Sequence, residues 1–283
     1  MKWRGRRESG NVEDRRGMSG GGMAVGGGVV GLIIYLLYNF LGGTGEPPVM
    51  PQINDEASAG PVEERMEKEK DLASFTKVVL ADTEDVWGAL FSKEGQTYSQ
   101  PGLVLYWGQT ETACGYGSAA SGPFYCPGDG KLYIDLAFYD EMQSRLGAGG
   151  DFAMAYVVAH EVGHHIQNLN GTAEKLQRLR GRLSEAEFNR YSVKMELQAD
   201  FLAGVWAHHA QKTKDILDEG DIEEALNAAN AIGDDRLQKR SSGTVVPDAF
   251  THGTSAQRMY WFKKGFQTGD ISQGDTFSDP SLN

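Results

Sequence analysis

Apolar residues along this chain recur in runs whose spacing changes several times, and each change marks an element. The longest uninterrupted run comes first: residues 23–41 hold no charge, and Val29, Val30, Leu32, Ile33, Ile34, Leu36 and Leu37 make it nearly all apolar. As a helix it would reach about 28 Å at about 1.5 Å per residue, close to the hydrocarbon thickness of a bilayer. Tyr35, Tyr38 and Phe40 fall toward its C-terminal end, where aromatic rings settle at a membrane interface. The run exceeds the apolar region of a signal peptide and no A-x-A cleavage site follows, so a transmembrane helix is expected at 23–41. Residues 42–61, with Gly43, Gly45, Pro47, Pro48 and Pro51 and few large apolar side chains, read as a flexible linker.

From residue 62 the periodicity becomes helical, charged at Glu63, Glu64, Lys68 and Lys70, then apolar at Leu72, Phe75, Val79, Val86, Trp87 and Leu90. Two short β-prone runs bounded by Gly or Pro, residues 103–107 and 131–135, predict strands. Helices are expected at 136–146, 151–169, 185–211, 221–240 and 255–267, with polar breaks near Gly171 and at 241–248. Thr254 and Gln257 have capping-box spacing at the start of the last helix. Residues 270–283 are polar and are expected to be loosely ordered. The expected architecture is α+β and mainly helical: one domain at 62–269 with a small sheet, behind a transmembrane helix.

Charge sharpens this organisation. Residues 1–22 carry six basic side chains, Lys2, Arg4, Arg6, Arg7, Arg15 and Arg16, against Glu8, Glu13 and Asp14, which makes +3. The whole chain carries −12, so the remainder carries −15. A basic segment before a span predicts a cytoplasmic N-terminus and a domain outside, on the far face of a bacterial cytoplasmic membrane. The acidic balance offers no general surface to a nucleic-acid backbone. Gly22, Gly26, Gly27, Gly28 and Gly31 would let two such spans pack closely as a dimer. Outside the cytoplasm Cys114 and Cys126 are expected to form a disulfide, and closing their short loop would contribute roughly 3 kcal/mol.

The chemistry lies in residues 153–167, a helical run containing His160-Glu161-Val162-Gly163-His164. Residues four apart on a helix share a face, so His160 and His164 can place two imidazole nitrogens on one zinc ion. Glu161 falls at the edge of that face, where a carboxylate can serve as general base toward an activated water without ligating the metal. A catalytic zinc needs a third protein ligand. Glu196, on a second helix and surrounded by Met195, Leu197, Ala199 and Phe201, is the candidate. Asp200, one turn on, can accept the ring N–H of a ligating histidine and fix its tautomer. His252, in a Gly-containing loop, is a candidate to stabilise an oxyanion, against the alternative of an ordinary loop histidine. His165, His208 and His209 point away from these faces and are assigned structural or surface roles.

Taken together, the apolar span, the Cys-containing loop, His160-Glu161-Val162-Gly163-His164-His165 with Gln167, the Glu196 to Asp200 helix, and His252-Gly253 followed by Ser255-Ala256-Gln257-Arg258 resemble the bacterial neutral zinc metallopeptidase family. The resemblance implies a zincin-type fold and a gluzincin-like site, with His160, His164 and Glu196 as ligands and Glu161 as catalyst. It specifies no substrate. A peptide or protein of the cell envelope is the expected one, aligned by a strand near residues 131–135. Two further readings use the same residues: a non-catalytic envelope binding protein stabilised by zinc, and a zinc hydrolase of a non-peptide envelope polymer.

Overall fold

The computed structural model describes residues 1–17, 62–118 and 122–282. The expected span at 23–41 and linker at 42–61 lie outside these residues, and among the described residues no helix is long and apolar enough to cross a membrane. What is described is mainly helical with a small sheet.

The central helix is α4 (Asp151–Leu169), which follows α1 (Val62–Lys68), α2 (Lys70–Lys93) and α3 (Ala137–Glu141). Its residues from Phe152 to Val162 are all buried. A helix apolar around most of its circumference must be covered on several sides. Here α2, the 30-residue α6 (Glu185–Lys214) and α7 (Asp221–Ala231) cover it. A Cβ on Gly163 would lie 3.0 Å from the Ala199 carbonyl oxygen, so the motif glycine sits where the α4 and α6 backbones come close. The last helix, α9 (Ser255–Thr268), crosses α6 still more tightly. A Cβ on Gly204 would lie 2.1 Å from the Phe262 carbonyl oxygen, and one on Gly265 would lie 2.0 Å from that of Phe201. Only glycine at both positions permits this backbone contact.

The main sheet has the order β1-β2-β6-β5, from β1 (Val12–Asp14), β2 (Gly102–Tyr106), β5 (Phe124–Cys126) and β6 (Lys131–Asp135). The pairs β1–β2 and β2–β6 are parallel and β5–β6 is antiparallel. Leu103, Leu105, Leu132 and Ile134 face the helices, while Val104, Tyr106 and Tyr133 form a second cluster on the opposite face. Burial on both faces explains why β2 and β6 read as continuous apolar runs rather than alternating ones. A separate hairpin, β3 (Gln109–Thr112) with β4 (Gly115–Ser118), is tied to β5 by the Cys114–Cys126 disulfide.

Strands β3, β4 and β5 were not expected from the sequence, and the structure departs from its expectations in four further places. An additional helix, α5 (Thr172–Leu179), follows the break at Gly171. The helix expected at 221–240 is two, α7 and α8 (Asp234–Ser242), separated at Gly233. That interruption frees the first turn of α8 to bind the following loop: Asp234 accepts the backbone N–H groups of Thr251, His252 and Gly253, and Asp235 accepts that of Ser255. Residues 270–282 do not hang loose but lie on α6, where Thr276 is buried and donates to the Lys194 carbonyl while Gln198 donates to that of Gly274. Finally, residues 1–17 are not a separate basic segment. They supply the edge strand β1 and pack Trp3 and Val12 against the core, because their cations find carboxylates on α2, between α1 and α2, and just past the end of α6.

Candidate metal centre

The α4–α6 contact at Gly163 brings one face of each helix together, and the chemistry-bearing residues lie on those faces. His160, His164 and Glu196 each offer one ligand atom, and the three atoms lie within 4.8 Å of one another. Glu196 spans the two imidazoles, with Oε2 3.2 Å from His160 Nε2 and Oε1 3.5 Å from His164 Nε2. The rings are nearly perpendicular, with centroids 4.8 Å apart.

Both imidazoles are fixed from behind. His160 Nδ1 donates to Asp200 Oδ1 at 2.8 Å, and His164 Nδ1 donates to Gln167 Oε1 at 2.9 Å. The orientation of the Gln167 amide follows from its other end, where Nε2 donates to the Met195 carbonyl and to Gln198 Oε1. With each Nδ1 carrying its proton, each Nε2 lone pair is left for a cation. Two imidazoles and one carboxylate with fixed tautomers suit zinc, whose catalytic sites use three such ligands and leave one position open.

Asp200 is fully buried and accepts four hydrogen bonds. Besides His160 Nδ1, Oδ1 receives Tyr156 Oη at 2.5 Å and Arg258 Nη2 at 2.9 Å; Oδ2 receives Arg258 Nε at 2.8 Å. Burial alone would push this carboxyl up, but the Arg258 and His160 charges outweigh it and hold it down at about 2. Arg258 is itself 2% exposed. It reaches Asp200 because α6 and α9 touch at Gly204 and Gly265 and because the Thr254–Gln257 capping box fixes where α9 begins.

The electrostatics of this cluster are set by its own members. Burial opposes charge on Glu196, yet the His164 charge and the two imidazole hydrogen bonds hold its carboxyl well below the usual range. His164 shows the reciprocal effect: burial works against its proton, and the charge and hydrogen bond of Glu196 raise it to about 9 in the metal-free chain. Glu161, 8% exposed, is raised because burial exceeds the opposing pull of His164 and His160. The backbone of Tyr125, on the strand β5 that packs against α4, opposes that rise by a smaller amount.

His252 stands beside this group. Its Nδ1 lies 3.1 Å from Asp234 Oδ1, the side chain is 43% exposed, and its pKa is raised because the Asp234 and Glu196 charges outweigh partial burial. His165 is a satisfied core histidine whose Nε2 donates to the Ser99 carbonyl and whose Nδ1 accepts from Tyr125 Oη. His208 and His209 bond to backbone carbonyls at the end of α9 and just beyond it. Sequence reasoning assigned no role to Gln167, Tyr156 or Arg258. Gln167 had a local signal in its position three residues after His164. Tyr156 and Arg258 had none beyond apolar surroundings or a place in the C-terminal run.

Residues 1–277 match the family described as "Putative neutral zinc metallopeptidase". The chain belongs to this family. The chain is similar to Uncharacterized protein YpfJ of Escherichia coli (strain K12), 53% identical over 292 aligned residues that cover 98% of this chain and 99% of that protein. Uncharacterized protein Rv2575 of Mycobacterium tuberculosis (strain ATCC 25618 / H37Rv) is 44% identical over 195 residues, 65% of each chain. No solved structure matches.

Proposed function

We propose that this chain is a zinc-dependent peptidase acting on peptides or proteins of the cell envelope. In this reading His160, His164 and Glu196 hold one zinc ion and Glu161 is the general base. The observation that carries the reading is the convergence of three ligand atoms within 4.8 Å on two helices, with both imidazole Nδ1 atoms already occupied. Bound there, zinc would polarise a substrate carbonyl and acidify a water. Glu161, buried beside the two imidazoles, takes the proton of the attacking water and passes it to the departing amine. His252, oriented by Asp234, donates to the oxygen on which negative charge develops.

The strand at 131–135 does not align the substrate, because β6 is paired on both sides, with β2 and with β5. The edge strand is β5. Among the described residues it pairs only with β6 and packs against α4, the helix that carries Glu161, so an extended peptide adding to that edge would lie close to the base. The disulfide at Cys114–Cys126 supports an oxidising compartment as the place of action.

The test is zinc content by mass spectrometry beside cleavage of a peptide library. Glu161→Gln should keep full zinc and lose cleavage, whereas Glu196→Gln should lose zinc. Cleavage by Glu161→Gln at the native rate would overturn its role, and full zinc in Glu196→Gln would remove it from the ligand set.

A further inference from the structure

The basic residues that suggested a cytoplasmic N-terminus are all engaged in ion pairs. Lys2 binds Asp215 at 2.7 Å, Arg4 binds Asp71 at 2.8 Å, and Arg6 reaches Asp82 at 2.5 Å. Arg7 pairs with Glu84 and Asp85, Arg15 with Glu13, and Arg16 with Asp14 and Glu69. Four of the six therefore bind carboxylates on α2 or at the end of α6, Arg16 binds Glu69 between α1 and α2, and Arg15 caps the pairing within the segment. The charge asymmetry between +3 and −15 is a complementarity within one folded body.

The pairing is more than a surface encounter. β1 runs in register with β2, Val12 opposite Leu103 and Asp14 opposite Leu105, and the ladder extends through Leu103 N–H to the Asn11 carbonyl and Arg15 N–H to that of Leu105. Ser9 donates from its backbone to the Lys77 carbonyl, and the Ser9 and Asn11 side chains both donate to the buried Glu84. Arg16 is 5% exposed, and Trp3 meets Phe75 edge-on at 5.5 Å. Without these residues Glu84 would lose its partners and β2 would present an open edge, both of which are costly.

We infer that residues 1–17 and the domain from residue 62 onward occupy the same compartment, so that the chain makes no single net crossing of a membrane between them. A hydrocarbon layer about 30 Å thick cannot lie between side chains that are hydrogen-bonded to each other. This replaces the N-in, C-out orientation expected from sequence and is independent of the zinc reading.

The test uses the full chain in its native cells, with one reporter thiol at a time. Cys114 and Cys126 are joined to each other and leave no competing thiol. Gly10→Cys places the reporter in the segment, where an added Cβ meets nothing within 4 Å, and Ala89→Cys places it on an exposed position of α2. A membrane-impermeant maleimide is applied to intact and to permeabilised cells. Both variants should label alike under each condition, whether both in intact cells or both only after permeabilisation. Labelling of one in intact cells and of the other only after permeabilisation overturns the inference. If either variant fails to accumulate, Arg4→Cys and Arg178→Cys, whose side chains are 71% and 68% exposed, make the same comparison.

Discussion

Replacing Arg258 by methionine keeps an unbranched apolar stem and removes the guanidinium that supplies two of the four hydrogen bonds to Asp200. Asp200 is fully buried, so its carboxylate would remain without its cation and without solvent. Breaking a buried ion pair by removing one partner costs about 3–5 kcal/mol. In a domain of this size each kcal/mol lowers Tm by roughly 2–4 °C, so the metal-free variant should melt roughly 6–20 °C below the native chain. The same change loosens the acceptor of His160 Nδ1, and losing such an outer partner lowers metal affinity about 10- to 100-fold. Calorimetric melting of the metal-free protein and chelator competition for zinc give the two numbers. Asp200→Asn combined with Arg258→Met should be less destabilised than the sum of the single variants, since the neutral amide no longer needs a cation. An Arg258→Met protein with unchanged Tm and unchanged zinc affinity would refute the view that α9 holds the metal centre through Asp200.

Zinc uptake should be linked to pH: because Glu196 raises His164 to about 9 against the effect of burial, each ion bound below that pH releases about one proton from this residue, countable by titration calorimetry in buffers of different ionisation enthalpy. In the metal-free chain the sign for His164 is that of a raised group, so its pairing with ionised Glu196 stabilises fully between the ordinary carboxylate range and about 6.5, and the contribution disappears as pH rises through about 9. Gly204→Ala should cost more, in the free energy of urea unfolding, than the roughly 1–3 kcal/mol usual for overpacking, since its Cβ would meet backbone at 2.1 Å, whereas Gly88→Ala, with nothing within 4 Å, should gain up to about 1 kcal/mol of helix propensity. Reduction of Cys114–Cys126 should cost about 3 kcal/mol in the same assay and, by freeing β5 from the β3–β4 hairpin, slow cleavage more than it lowers zinc content.

Features that depend on neighbours along the chain could be read from it directly. The faces of α4 and α6 follow from residues one helical turn apart, and that spacing alone put His160 on one face with His164 and Glu196 on one face with Asp200. The Thr254–Gln257 cap is local for the same reason. The pairing of Cys114 with Cys126 was expected from their short separation and from the compartment that the apolar run suggested, and the structure joins them. Tertiary structure decided what depends on distant partners. Arg258 meets Asp200 only because glycines 61 residues apart let two helix backbones touch, and no periodicity in either helix announces that contact. The short β5 carries no alternation long enough to mark it, yet its place at the sheet edge decides which strand lies beside Glu161. Residues 1–17 were misread because a basic segment before an apolar run has the same sequence signature whether its charges face cytosol or pair with carboxylates of the same chain. Coulomb attraction acts between charges that folding brings together, and sequence order alone does not say which those are.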